Sequence, residues 1–156
     1  MIQVLFVCLG NICRSPMAEA VFRHKVKEAG LERDIVVDSV GTGDWHEGET
    51  PHQGTCELLR EKDIDFSGIV ARKIEKRDVE NADYVVAMDA DNMRSIRSLA
   101  DEANDTKITK LMDFVPRNKI EDVPDPYFTG NFDEVYNMVD EGCDQLLAHI
   151  REQSSI

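Results

Sequence analysis

The chain has 156 residues, 42% of them hydrophobic and 31% charged, with a formal net charge of −13. That profile fits one folded domain spanning 1–156 and excludes a disordered chain. It also argues against nucleic acid as a partner, because binding a phosphate backbone needs a basic face.

Ile2 to Cys8 is a near-continuous apolar run and reads as a buried parallel strand. Val4 to Leu9 is far too short to span a bilayer, and no basic stretch precedes it. Neither a membrane partner nor export is expected, so the expected compartment is cytoplasmic. Ser15 to Ala29 reads as a helix, with Ser15 as N-cap, Pro16 at the first helical position and Gly30 at the stop. Ala18, Phe22, Val26 and Ala29 share one face of it. Ile35 to Val40 reads as a second strand, followed by a Gly-rich loop that carries Trp45. A helix is expected over 52–62, a third strand over Tyr84 to Met88, a helix over 90–100 and a fourth strand over Ile108 to Met112. A loop then carries Pro124-Asp125-Pro126-Tyr127-Phe128. The last helix starts near Asn131, which has capping-box spacing to Glu134, and its core face is Val135, Val139, Cys143, Leu146 and Ile150. Alternating strands and helices predict an α/β fold, a parallel sheet with helices on both faces. In such folds ligands sit beyond the carboxyl ends of the strands, where Cys8 falls.

The segment Cys8-Leu9-Gly10-Asn11-Ile12-Cys13-Arg14-Ser15 joins the first strand to the first helix. Backbone N–H groups of such a loop converge into an anion-binding nest, and the helix N-terminus adds partial positive charge. Gly10 lets the backbone approach a ligand, and Asn11 tolerates a left-handed conformation. Arg14 offers a planar fork for two phosphate oxygens. Cys8 opens the cradle. A free thiol titrates near 8.5, but cysteines at helix N-termini or beside Arg fall to roughly 3.5–7.5. The donors that bind phosphate are thus expected to activate Cys8, with the Ser15 hydroxyl donating to its sulfur. The loop lacks the Lys of a nucleotide-binding P-loop, which excludes ATP. The remaining cysteines, Cys13, Cys56 and Cys143, do not form a zinc spacing with Cys8, and no metal or other cofactor is expected.

The string Val7-Cys8-Leu9-Gly10-Asn11-Ile12-Cys13-Arg14-Ser15-Pro16 resembles the signature of the low-molecular-weight protein tyrosine phosphatases, in a bacterial-type member. Asp125-Pro126-Tyr127-Phe128 resembles their second motif, and the likeness covers essentially the whole chain. The resemblance implies a four-stranded parallel sheet and hydrolysis of phosphotyrosine proteins through a cysteinyl-phosphate. Cys8 would be the nucleophile. Arg14 and the backbone of Leu9, Gly10, Asn11, Ile12 and Cys13 would bind phosphate. Asp125 would be general acid and then base, with Asp89 and Asp122 as weaker candidates. Ser39 would support Asn11; Ile69 stands where animal members carry a His in that network. Trp45, Tyr127 and Phe128 are candidates for an aromatic wall, and His24, His46, His52 and His149 read as surface residues. Cys13 is a candidate redox partner that captures oxidised Cys8. A monomer is expected.

Three other readings share these residues. A protein arginine phosphatase on the same fold carries Thr at the position of Ile12. A thiol-dependent arsenate reductase needs further paired cysteines, which Cys56 and Cys143 do not supply in sequence. A silent phosphopeptide-binding module needs no nucleophile.

Overall fold

The computed structural model describes residues 1–116 and 121–156. Four strands, β1 (Ile2–Cys8), β2 (Ile35–Gly41), β3 (Tyr84–Ala87) and β4 (Ile108–Lys110), form an all-parallel sheet in the order β2-β1-β3-β4. The helices between them are α1 (Arg14–Glu28), α2 (Gln53–Glu61), α3 (Lys76–Asn81) and α4 (Ala90–Leu99). A short α5 (Pro126–Thr129) and the long α6 (Phe132–Ser154) close the chain. Among the described residues no helix is long and apolar enough to cross a membrane.

Strand alternation sorts β1 onto two cores. Val4, Phe6 and Cys8 face a cluster with Phe22 of α1 and Val139, Cys143 and Leu146 of α6. Leu5 and Val7 face a second cluster with Val79 of α3 and Ile96 of α4. Helices therefore cover both faces, as the alternation predicts. The five positions read as the core face of α6 are all buried.

Several local expectations shift. Ser15 is not the N-cap of α1: the helix starts at Arg14, its N-cap is Cys13, and no side chain caps it. The Ser15 hydroxyl turns instead to Cys8 and Asn11. Pro16 lies within the first turn, where its missing N–H costs nothing. β4 ends at Lys110, because Leu111–Phe114 winds into a 3₁₀ turn. The motif Asp125-Pro126-Tyr127-Phe128, read as loop, starts the short helix α5: Asp125 Oδ1 accepts from the Tyr127 N–H at 3.1 Å, and Gly130 ends the turn at φ 74°. α3 has no clear apolar period, burying only Val79. Asn131 does cap α6, accepting from the Glu134 N–H at 3.2 Å and donating to the Glu134 carboxylate at 2.6 Å.

The chain runs from β1 outward to β2, then crosses back to β3 on the other side of β1. The carboxyl ends of β1 and β3 therefore part around a crevice, the topological switch point where such sheets bind ligands. The loop 9–13 flanks one side of it and Asp89 the other.

Candidate active site

The carbonyls of the first loop are tied outward. Thr42 donates its N–H to the Cys8 carbonyl and Gly43 to that of Leu9, both at 2.9 Å, while His52 donates to that of Ile12 at 2.7 Å. The Thr55 hydroxyl reaches the Cys13 carbonyl at 3.2 Å. In a planar trans peptide the N–H points opposite to the C=O. The next N–H groups, those of Leu9, Gly10 and Cys13, are thereby turned to the other side, which makes an anion nest. Asn11 holds the turn at φ 56°, in the left-handed region its short amide tolerates. Gly10 makes room for a side chain: an added Cβ would stand 3.2 Å from the His46 ring.

Arg14 is buried and braced from behind. Its Nη1 donates to Asp89 Oδ2 at 2.6 Å and to the Val123 carbonyl at 2.9 Å. Nη2 reaches Asp125 Oδ2 at 3.4 Å, and Nε has no hydrogen-bond partner among the described residues. Burial works against its charge, but Cys8, Asp89 and Asp125 more than offset that and raise its pKa. Nε is thus a charged, desolvated donor left open, and a bidentate ligand would take it together with Nη2 in place of the long contact to Asp125.

Cys8 Sγ lies 2.9 Å from Ser15 Oγ and accepts the Ser15 N–H at 3.4 Å. Cys8, Leu9, Gly10, Ile12, Cys13, Trp45, His46, Asp125, Tyr127 and Phe128 line one cleft of about 250 Å³, room for one phosphorylated side chain rather than a folded segment. Trp45, Tyr127 and Phe128, the expected aromatic wall, all line it. The rim is open, with Trp45 68% and Phe128 75% exposed. An added Cβ on Gly43 would overlap the six-membered ring of Trp45. Gly43→Ala is expected to swing that ring into solvent and raise KM for an aromatic substrate about 3–10-fold, with kcat little changed. Steady-state kinetics would check this; an unchanged KM would remove Trp45 from the aromatic wall.

Sequence reasoning missed several participants. Of the histidines read as surface residues, one lines the cleft and one packs against its wall. His46 lines the cleft, and His52 accepts the Gly54 N–H at 3.0 Å through Nδ1 while its ring packs between Tyr127 and Phe132. Asp89 stands behind Arg14 instead of facing substrate, and Asp122 forms a surface pair with Lys110 at 3.1 Å. Ser39 does hold Asn11, accepting from its Nδ2 at 3.0 Å. Where Ile69 offers no His, the Arg72 N–H donates to Asn11 Oδ1 at 3.0 Å, and the Ser39 hydroxyl donates a hydrogen bond to Glu19 Oε1 at 2.6 Å.

Burial pushes the Glu19 carboxyl up from 4.5 to about 7, aided by Asp38 and opposed by the Ser39 hydrogen bond, Arg23 and Arg72. The folded state then holds a proton that the unfolded state has released, so stability falls as pH rises from about 5 to 7. The loss is on the order of 3 kcal/mol when a carboxyl moves from 4.5 to about 7. Glu19→Gln is expected to abolish that slope, gaining relative to wild type between pH 5 and pH 8 in urea unfolding; a constant difference would mean that Glu19 does not titrate there.

A thiol at the mouth of an amide nest, with a buried Arg fork and a nearby carboxylate, defines the class of cysteine-dependent phosphatases. The sequence profile described as Low molecular weight phosphotyrosine protein phosphatase matches residues 3–155. The chain is 51% identical to Low molecular weight protein-tyrosine-phosphatase YfkJ of Bacillus subtilis, over all of both chains. It is 44% identical to PtpA of Staphylococcus aureus, over 100% of this chain and 98% of that one. The crystal structure of YfkJ superposes with a TM-score of 0.96, covering 98% of this chain and 96% of that one at 52% identity. A Drosophila arginine phosphatase superposes at 0.88, covering 96% and 98% at 34% identity. The chain belongs to the low molecular weight protein-tyrosine-phosphatase family, and it is an enzyme of that class, a phosphoprotein hydrolase.

Proposed function

We propose that Cys8, Arg14 and Asp125 carry phosphotyrosine hydrolysis in this cleft, in a single catalytic domain. Cys8 Sγ attacks phosphorus in line as the phosphorus–oxygen bond to tyrosine breaks. Asp125 gives its proton to the departing oxygen. Arg14 and the N–H groups of residues 9–14 hold the equatorial oxygens, more tightly as charge redistributes. Water, giving its proton to Asp125, then breaks the sulfur–phosphorus bond and releases inorganic phosphate. The observation that carries this assignment is Arg14 Nε, a buried donor on a charged guanidinium with no partner among the described residues, in a chain that sets a thiol and a carboxylate on one cleft.

Phosphotyrosine proteins are the proposed substrates. The likeness to an arginine phosphatase shows that the fold alone does not choose between them. Ile12 favours tyrosine: it lines the cleft and packs with Cys13, Ala71 and Phe132, offering bulk and no hydroxyl where the arginine branch has Thr. Cys56 and Cys143 lie in different helices, α2 and α6, which speaks against an arsenate reductase. A monomer acting in the cytoplasm completes the proposal.

Phosphotyrosine, phosphoarginine and phosphoserine peptides compared from pH 5 to 8 without metal would test it. Selective turnover of phosphotyrosine is expected; preference for phosphoarginine would overturn the use of Ile12, and no turnover would overturn the roles of all three residues. Cys13 is proposed as the partner that captures oxidised Cys8. Burial first, then Cys8 and Asp125, push its thiol up to about 12 against the pull of Arg14, so capture is slow. Thiol counting after mild peroxide would test it: recovery of Cys8 is expected to drop in Cys13→Ser, and unchanged recovery would end the idea.

A further inference from the structure

The Ser15 hydroxyl touches the sulfur, yet its single proton has two acceptors in range, Cys8 Sγ at 2.9 Å and the Val40 carbonyl at 3.4 Å. The hydrogen bonds behind it decide the direction. Arg72 N–H donates to Asn11 Oδ1 at 3.0 Å, which fixes the amide. Asn11 Nδ2 must then face both serines, donating to Ser15 Oγ at 2.8 Å and to Ser39 Oγ at 3.0 Å. Each serine accepts from Asn11 and has one proton left to give. Ser39 gives its proton to Glu19 Oε1 at 2.6 Å. Glu19 sits one helical turn beyond Ser15 on α1, 7% exposed, and no step of phosphate transfer uses it.

We propose that Glu19 is a positioning residue for the nucleophile: by accepting the Ser39 proton it holds the Asn11 amide in one orientation and so directs the Ser15 proton to Cys8 Sγ. This rests on the assignment of Cys8 as nucleophile. The physical need is clear at Asn11, whose φ of 56° persists only because its surroundings over-determine it. Ionised or protonated, the Glu19 carboxyl keeps an oxygen that accepts from Ser39. The charged groups that bear on Glu19 are Asp38 of β2, Arg23 of α1 and Arg72 of the segment after α2. Two cations and one anion leave its protonation to be decided mainly by burial.

The test is alkylation by iodoacetate from pH 5 to 9, read by mass spectrometry on the peptide containing Cys8, in wild type, Glu19→Ala, Ser39→Ala and the double variant. Glu19→Ala removes the acceptor and is expected to move the profile to higher pH by about one unit, which makes alkylation about tenfold slower at pH 6, the worth of one net hydrogen bond. Ser39→Ala is expected to do the same, and the double variant no more than either. Removing a buried negative charge with no positioning role would act oppositely and speed alkylation at low pH. That result, or an unmoved profile, would overturn the proposal. Should Glu19→Ala fail to fold, Ser39→Ala breaks the same link with Glu19 in place, and an unmoved profile there is equally decisive. A wild-type Cys8 that does not react below pH 8 would overturn the nucleophile assignment itself, and with it this proposal.

Discussion

Cys8→Ser is expected to lose at least about 10⁴-fold in kcat on a phosphotyrosine peptide, to the limit of detection. A serine hydroxyl is barely ionised at pH 7, and a cradle built to stabilise a thiolate does not make it an alkoxide. The substitution changes little else. The carbonyls of Cys8, Leu9, Ile12 and Cys13 remain tied outward by backbone or hydroxyl donors, so the anion nest survives. Arg14 keeps Asp89 and the Val123 carbonyl. The variant is therefore expected to bind the phosphopeptide as well as wild type, or better. Stopped turnover with retained binding, measured by calorimetry, would separate nucleophile from binding site. Residual turnover near the wild-type level would place the nucleophile elsewhere.

Asp125→Asn is expected to cost about 10²–10⁴-fold in kcat on phosphotyrosine. Tyrosinate is a basic leaving group, with a parent value near 10, and departs badly without a proton. A phosphate ester of a more acidic phenol needs that proton less, so the loss should shrink as the leaving group becomes more acidic. Asparagine is the informative substitution here. Asp125 also caps α5 through Oδ1, and the Asn amide oxygen makes the same cap at little cost. The loop carrying Tyr127 and Phe128 should then stay in place, and the loss reports proton transfer alone. An equal loss on acidic and basic leaving groups would show that Asp125 acts through Arg14 or the loop instead.

Both effects depend on how a chain of net charge −13 admits an anion. The solution is local. Asp89 neutralises one side of the Arg14 guanidinium and positions it, while Nε on the other side stays without a partner among the described residues. A lysine at this position would lose the fork and the brace together.

The cradle was legible in the sequence because it is contiguous. Strand end, turn and helix start follow one another from Cys8 to Pro16, so their chemistry can be read from residue types and spacing. The strands were legible from their apolar runs, and α6 from its long period. Asp125 was found by motif resemblance, since spacing alone does not tell a general acid from a turn residue. What only the tertiary structure decided is the support. The sheet order β2-β1-β3-β4 sets the end of β3 beside the end of β1, and that brings Asp89 to Arg14 across 75 positions of sequence. The pairing of β1 with β2 brings Ser39 under Asn11, and Glu19 reaches Ser39 only because α1 packs back on that strand. Hydrogen bonds between side chains far apart in the chain leave no period or spacing behind. The direction of each one depends on a single proton, and only the assembled network of neighbours says where that proton goes.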